Sequence, residues 1–267
     1  MRVGGGSIGC QGGGMELQIP VGGGEVWAEH VAGDGVPVVL LHPGVGDSRV
    51  WDPVMPRLVE RHRVVRYDVR GYGRSALPTS EFSLVEDLVS VLDQLGLEQV
   101  VLVGCSMGGD TALSLALNDP ARVRALVLLC PGVSGFPWPD EPELDARSKA
   151  LREARDVPGM VQLGLSSWAA AGADEAAVAQ LQAAVPAWFD QADYLRKGPP
   201  VYDRLHEIQA PSVVMVGDKD RPILAAVAGA AAARIPDCEF IWLPGADHLP
   251  SLRSPDQVAE TILRLGS

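Results

Sequence analysis

Paired cysteines, basic clusters and long apolar runs are all missing from this sequence of 267 residues. No apolar run reaches the ~18 residues that a membrane-spanning helix needs, so we do not expect a membrane protein. Asp and Glu (34) outnumber Lys and Arg (22), and the formal net charge is −12. Because a negative surface repels phosphate groups, a nucleic-acid partner is not expected either.

The four cysteines are too scattered for a metal site or a disulfide framework. They stand at positions 10, 105, 130 and 238, with no C-x-x-C pair among them. We therefore expect no metal and reduced thiols, as in a cytoplasmic protein. The glycine triplets at 4–6, 12–14 and 22–24 lack the strand–loop–helix setting of a phosphate-binding loop, so no nucleotide cofactor is expected.

What the sequence does contain is an alternation of short apolar runs with helix-like segments. The segment 84–95 carries apolar residues at helical spacing. The alternation is typical of a mostly parallel, eight-stranded α/β sheet with helices on both faces. The first two runs are predicted to form an antiparallel hairpin at the edge of the sheet. The eight predicted strands are 17–19, 26–30, 38–41, 64–67, 100–103, 125–129, 212–216 and 239–243.

We assign residues 15–132 and 205–267 to this α/β core. Between the two parts, residues 133–204 contain prolines, many acidic residues and half of the aromatic residues of the chain, but no strand pattern. This segment is predicted to be a helical cap inserted after the sixth strand. The seven glycines of residues 1–14 predict a disordered tail, or sequence that precedes a translation start at Met15.

The sequence from Gly104 to Gly108 follows the fifth predicted strand and precedes a helical segment. In that setting the pattern G-x-S-x-G predicts a sharp turn that lifts the Ser106 hydroxyl above the sheet. The two glycines fit this prediction, because the strand and the helix can then pass close to one another. Ser106 is the candidate nucleophile. Cys105 is the weaker candidate, because the turn is expected to bury it.

A serine nucleophile needs a base, and the base needs a carboxylate that orients it. His248 follows the last predicted strand, whereas Asp218 and Asp220 follow the seventh. Because the carboxyl ends of parallel strands meet at one edge of a sheet, His248 is expected to reach Ser106 on one side and an aspartate on the other. We favour Asp220, which extends further from its strand, and interpret Asp218 and Asp247 as turn formers.

The remaining histidines and one charged loop are interpreted as structural. His30, His62 and His206 are expected at the surface, and His42 is expected to form hydrogen bonds within its own loop. The loop 68–75 contains two arginines that could hold an anion, but a tight loop fixed by pairing of arginine with aspartate is the preferred interpretation.

Two backbone N–H groups are expected to form an oxyanion hole. One belongs to Met107, the residue after the candidate nucleophile, and the other to the loop after the third strand. Pro43 in that loop has no N–H, so Gly44 or Val45 must supply the second donor.

Together these motifs resemble the α/β-hydrolase superfamily over residues 15–267, apart from the cap. The matching segments are 42–44, 68–75, 104–108, 217–220 and 245–248. The resemblance implies that the acid ends a G-x-x-D run, which is Asp220, and that Gly44 is the second oxyanion donor. Pro43 is a departure, because relatives usually have glycine at that position. The sequence is most similar to small capped enzymes such as enol-lactonases and haloperoxidase-like esterases.

The resemblance implies a serine hydrolase that cleaves a carboxylic ester or lactone of a small, largely apolar substrate through an acyl-enzyme. Val45 and the cap residues Trp138, Trp168 and Trp188 are expected to line the substrate pocket. Two alternatives stay open: a hydrolase of the carbon–carbon bond beside a ketone, and a ligand-binding receptor on the same scaffold. Serine at position 106 argues against epoxide hydrolases and haloalkane dehalogenases, which need a carboxylate nucleophile.

Overall fold

The fold is built on one eight-stranded sheet. A computed structural model describes residues 14–267, so the expectation of a disordered tail falls almost wholly outside the described residues. The strands, in chain order, are β1 Met15–Val21, β2 Gly24–Val31, β3 Val38–Leu41, β4 Val64–Tyr67, β5 Val100–Cys105, β6 Val123–Leu129, β7 Ser212–Gly217 and β8 Glu239–Leu243.

The strand order across the sheet is β1-β2-β4-β3-β5-β6-β7-β8. Strand β2 pairs antiparallel with both β1 and β4, and all other pairs are parallel. The prediction of a mostly parallel sheet with an antiparallel hairpin at its edge is confirmed. Strands β3 and β5 are buried along their whole length, which explains why they appear in the sequence as continuous apolar runs.

Nine α-helices lie within residues 14–267, and they have these bounds: α1 Met55–Leu58, α2 Leu84–Gln94, α3 Met107–Asn118, α4 Pro142–Glu153, α5 Val157–Trp168, α6 Glu175–Asp190, α7 Pro222–Arg234, α8 Pro250–Arg253 and α9 Pro255–Gly266. Helix α2 buries the apolar stripe at Leu88, Val91 and Leu92. Helices α3 and α9 both pack against β5 and β6. None of the described helices is long and apolar enough to cross a membrane.

Helices α4, α5 and α6 lie between β6 and β7, and we refer to them as the inserted helices. Aspartates begin two of them: the Asp156 side chain accepts the Gly159 N–H, and the Asp174 side chain accepts the Ala177 N–H. The Asp174 carboxylate also pairs with Arg253 of α8. The insertion is therefore tied by a charged pair to the helix that follows the last strand.

The turn between β5 and α3 is a tight packing point at the carboxyl edge of the sheet. A Cβ atom added to Gly104 would overlap the backbone of Gly108, and a Cβ added to Gly108 would overlap the backbone of Leu41 in β3. Because these neighbours are main-chain atoms held in the sheet and helix, they cannot move aside as a flexible side chain would. The glycines therefore let α3 start directly against β3 and β5, as the sequence pattern predicted.

We expect Gly104→Ala to lower the free energy of unfolding by about 2–3 kcal/mol, because the new methyl group overlaps main-chain atoms. Gly229→Ala in α7 is the matched control. Its new Cβ would meet nothing within 4 Å, and alanine favours the helix by up to about 1 kcal/mol. Urea unfolding followed by circular dichroism measures both, and an unchanged midpoint for Gly104→Ala would contradict the account of the turn.

Candidate active site

Ser106 sits in a strained backbone conformation between β5 and α3, with φ 50° and ψ −111°. Its N–H donates to the Leu129 carbonyl at 3.0 Å, and its own carbonyl accepts the N–H groups of Gly109, Asp110 and Gly132. Four backbone hydrogen bonds thus hold a conformation that serine rarely adopts. The side chain is partly exposed and borders a cavity of about 420 Å³.

His248 and Asp220 form a buried pair at the same edge of the sheet. The His248 Nδ1 lies 2.8 Å from the Asp220 Oδ2, and both side chains are about 1% exposed. An ionised carboxylate only accepts, so Nδ1–H donates and the Nε2 of His248 is left as the acceptor. His248 borders the same cavity as Ser106, although no hydrogen bond joins the two side chains among residues 14–267.

Trp168 and two thiols surround His248. The Trp168 ring lies against the imidazole, with the two ring centroids 4.8 Å apart. The backbone carbonyl of Trp168 accepts the backbone N–H of His248 at 3.3 Å. The thiols of Cys105 and Cys130 lie 3.9 and 3.8 Å from the His248 carbonyl oxygen and 3.7 Å from one another. Burial, with the neighbouring Cys105, raises the pKa of the Cys130 thiol well above its ordinary value. The Cys130 thiol therefore stays protonated, and both buried side chains act as packing groups here.

The other two aspartates near the site have separate roles. Asp218 is exposed, and its carboxylate accepts the Gly245 N–H at 2.7 Å, which closes the turn between two loops. Asp247 was interpreted only as a turn former, and the structure gives it a larger role. It is fully buried and binds the Arg253 side chain as well as the N–H of Ala171. The loop that carries His248 is therefore fastened to the inserted segment.

The remaining histidines lie away from this pair. His42 has both ring nitrogens engaged: Nδ1 lies 2.8 Å from the Pro43 carbonyl, and Nε2 accepts the Val69 N–H at 3.0 Å. His206 is exposed and His30 is partly buried. The expectation that His62 lies at the surface is wrong. It is 5% exposed and hydrogen-bonds through Nδ1 to the Val36 carbonyl, because Gly35 and Gly266 at the end of α9 lie against its ring.

The loop 68–75 is fixed by a buried charge pair to helix α2 and by hydrogen bonds to Asp68. The Arg70 guanidinium makes two hydrogen bonds to Asp87 of α2, at 2.6 and 2.7 Å, and both side chains are buried. The Asp68 carboxylate accepts the backbone N–H groups of Ser48 and Arg74. Arg70 thus pairs with an aspartate, in line with the preferred interpretation, although that aspartate lies outside the loop.

The loop after β3 exposes backbone donors to the cavity. The Gly46 N–H and the His42 ring both hydrogen-bond to the Pro43 carbonyl. All peptide bonds described are trans, so the Gly44 N–H, which shares a peptide unit with that carbonyl, points the opposite way. Neither this N–H nor that of Met107 has a partner within residues 14–267. A Cβ on Gly44 would lie 3.8 Å from the Met107 Cβ, so the two donors are neighbours.

The cavity walls are mainly apolar, with one polar side formed by α4. Val45, Trp168 and Trp188 border the cavity, as predicted from the sequence. Sequence reasoning missed Tyr72 and the whole α4 wall, because nothing in the sequence indicates which way these elements turn. The further lining residues are Leu144, Asp145, Ser148, Arg152, Met160, Leu163, Gly164 and Ser167.

Trp138 does not belong to this cavity, which corrects the prediction that it lines the substrate pocket. Its side chain is 45% exposed and borders a different cavity of about 450 Å³ between α2, α3 and the segment after α6. It packs edge-on against Phe136, which in turn packs against Tyr202. The aromatic content of 133–204 therefore serves two places in the fold.

One group of possible metal ligands exists within residues 14–267, and it overlaps the pair already described. The ligand atoms of Cys130, Asp220 and His248 lie within 4.8 Å of one another, and all three residues are buried. The Nδ1 of His248 and the Asp220 carboxylate already bind each other. The hydrogen bond fits a proton between them rather than a metal ion.

We expect Cys105 and Cys130 to resist iodoacetamide at pH 8 in the folded protein, because they are at most 1% exposed and burial keeps Cys130 as a thiol. Cys238 should also react slowly, because burial raises its pKa to about 11. Peptide mass spectrometry before and after denaturation measures the labelling of each site. Rapid labelling of Cys105 in the folded protein would revive it as a nucleophile.

Comparisons with known proteins agree on the fold. The chain is 30% identical over 246 residues to the pimeloyl-[acyl-carrier protein] methyl ester esterase of Xanthomonas campestris pv. campestris, covering 88% of this chain and 96% of that protein. A carboxylesterase of Bacillus subtilis superimposes with a TM-score of 0.79 at 22% identity, covering 95% of this chain and 91% of the other. The second comparison supports the fold alone.

Another relative has a higher sequence identity to this chain, but over a shorter part of it. The chain is 41% identical over 124 residues to the 2-hydroxymuconate semialdehyde hydrolase of a Pseudomonas species, but the match covers 44% of this chain and only 43% of that protein. The model of the alpha/beta hydrolase family matches residues 38–261, which include every residue of the site described above. The chain therefore belongs to the alpha/beta hydrolase family.

Proposed function

We propose that this protein is a serine hydrolase that cleaves a carboxylic ester or lactone of a small, largely apolar substrate through an acyl-enzyme. One observation carries the proposal: Ser106, on its strained turn, borders the same cavity as the buried Asp220–His248 pair. The strained backbone has no other evident use, and strain of this kind tends to be kept where it serves chemistry.

Acylation follows from the positions of these groups. The Ser106 Oγ attacks the ester carbonyl carbon while the His248 Nε2 takes the hydroxyl proton. Asp220 keeps the Nδ1–H of His248 in place and stabilises the imidazolium that forms. We expect the hydrogen bond between Ser106 and His248 to form when the substrate binds, since catalytic hydrogen bonds often reach their final length only in the enzyme–substrate complex.

The tetrahedral intermediate carries its negative charge on the former carbonyl oxygen. The N–H groups of Met107 and Gly44 are placed to bind it, the first at the start of α3 and the second in the loop after β3. The intermediate collapses by breaking the carbon–oxygen bond, and the leaving alcohol takes the proton from His248. Water then repeats the same steps on the acyl-enzyme, which releases the acid and restores Ser106.

The inserted helices act in this proposal as the cap over the substrate. Trp168 of α5 and Trp188 of α6 border the cavity together with Met160 and Leu163. Such walls favour apolar acyl or alcohol groups, because burying apolar area is the main gain on binding. The similarity to the pimeloyl-[acyl-carrier protein] methyl ester esterase supports an ester as the bond that is cleaved.

A second candidate is hydrolysis of a carbon–carbon bond beside a ketone. It is favoured by the similarity to the 2-hydroxymuconate semialdehyde hydrolase. The same serine and histidine would serve, so the site geometry fits both reactions. Turnover of a vinylogous 1,5-diketone compared with that of p-nitrophenyl esters, measured on one preparation, separates the two.

We expect Ser106→Ala to abolish turnover of p-nitrophenyl acetate and butyrate, because the variant lacks the hydroxyl that forms the acyl-enzyme. The wild-type protein should also be labelled at Ser106 by a fluorophosphonate, and the variant should not. Intact-mass spectrometry and the rate of nitrophenolate release measure both, while thermal unfolding checks the fold. Full residual turnover would overturn the proposal.

The two aspartates after β7 should differ sharply. Asp220→Asn is expected to lower kcat on the order of 10⁴-fold, because an amide facing Nδ1 favours the wrong tautomer of His248. Asp218→Asn removes the charge but keeps an oxygen that can accept the Gly245 N–H, so kcat should stay within about threefold of the wild type. Steady-state kinetics with one ester measure both, and equal effects would contradict the assignment of the acid.

A further inference from the structure

Three side chains of α6 and its C-terminal end form hydrogen bonds to main-chain atoms of two loops at the carboxyl edge, the loop after β3 and the loop after β4. The Gln180 Oε1 accepts the Asp47 N–H at 2.9 Å, and the Trp188 Nε1–H donates to the Gly44 carbonyl at 2.6 Å. The Gln191 side chain, at the end of the helix, donates to the Arg70 carbonyl at 2.9 Å. We call these three side chains the α6 contacts.

The spacing of the α6 contacts places them on one side of the helix. Positions 180 and 191 are eleven residues apart, which is close to three full turns of an α-helix. Position 188 precedes position 191 by three residues, and residues at that spacing are neighbours on the helix surface. Gln180 and Gln191 are buried, at 4% and 5% exposure. Leaving a buried amide without a hydrogen-bond partner is costly, so this side of α6 is expected to stay bound to the main chain of the two loops.

The Trp188 hydrogen bond fixes the orientation of the peptide unit after Gly44. Because that unit is trans, holding the carbonyl on Trp188 directs the Val45 N–H away from Trp188. The preceding peptide unit, which contains the Pro43 carbonyl and the Gly44 N–H, is held from the core side. The His42 ring and the Gly46 N–H both hydrogen-bond to its carbonyl. The two peptide units that flank Gly44 are therefore held from opposite sides, one by the core and one by the insertion.

We infer that Trp188 is a positioning residue for the oxyanion hole: its indole N–H sets the Gly44 backbone so that the Gly44 N–H meets the developing negative charge. The inference rests on the proposed function. The same indole ring borders the cavity, so one residue of the insertion contributes both to the substrate wall and to the geometry of the oxyanion loop. The inserted helices thus cannot shift without disturbing the donor.

The test is Trp188→Phe, which keeps an aromatic ring in the wall and removes the N–H. Without its hydrogen bond the peptide unit after Gly44 is free to reorient, which changes the Gly44 backbone and shifts its N–H, so part of the oxyanion stabilisation is lost. Loss of a whole donor costs about 100- to 1000-fold in rate, so we expect kcat to fall about 10- to 100-fold. The KM for the same p-nitrophenyl ester should change less than about threefold.

A second readout separates positioning from packing. A boronic acid forms a tetrahedral adduct with Ser106 and needs the oxyanion donors, whereas an ether analogue of the ester fills the cavity without a carbonyl. The affinity for the boronic acid should fall in parallel with kcat, while the affinity for the ether should not. Trp242→Phe is the matched control, because Trp242 is 52% exposed on the edge strand β8. It should leave all three values unchanged.

The results separate this inference from the proposed function. If the wild type neither hydrolyses esters nor reacts with a fluorophosphonate, the proposed function fails first. If the wild type is active and Trp188→Phe keeps kcat within about twofold, or changes KM and ether binding alone, the positioning role is wrong. Should Trp188→Phe unfold, 3-benzothienylalanine incorporated at position 188 removes the same N–H and keeps the shape of the ring, with the same expected fall in kcat and in boronic acid affinity.

Discussion

The close approach of backbone at the turn after β5 is the constraint on which the site depends. Gly104, Gly108 and Leu41 leave no room for a side chain between strand and helix, and Ser106 must take a positive φ to join them. The four hydrogen bonds on the Ser106 backbone offset the strain of that conformation. As a result the hydroxyl and the Met107 N–H stand at the carboxyl edge, where later loops can reach them.

Two later loops and one insertion then converge on this edge. The loops after β7 and β8 deliver Asp220 and His248 as a buried pair, and the thiols of Cys105 and Cys130 pack beneath the His248 carbonyl. Asp247 fastens the histidine loop to α8 and to the inserted segment. The insertion is thus part of the framework of the site as well as a cover over the cavity.

Much of the fold could be predicted from the sequence because strands β3, β5 and β7 are short and fully buried, and helices such as α2 carry one apolar stripe. The apolar pattern and the turn residues that bound each run are enough to place Val38–Leu41 and Val100–Cys105 in a parallel sheet. The carboxyl ends of these two strands then meet at one edge of the sheet. Trp138 and His62 could not be placed in this way. Whether a tryptophan in a helical insertion faces a cavity, or a histidine in a polar segment becomes buried, depends on neighbours far away in the sequence.

The sequence by itself determined the succession of strands along the chain, the glycine-lined turn around Ser106 and the residues available as base and acid, because these follow from local spacing and from which ends of parallel strands meet. The sequence also favoured Asp220 over Asp218 as the acid. Tertiary structure alone decided that Trp188 faces the cavity while Trp138 does not, and that one side of α6 holds two loops. Side-chain direction and helix rotation arise from packing between distant segments, and no local pattern encodes them.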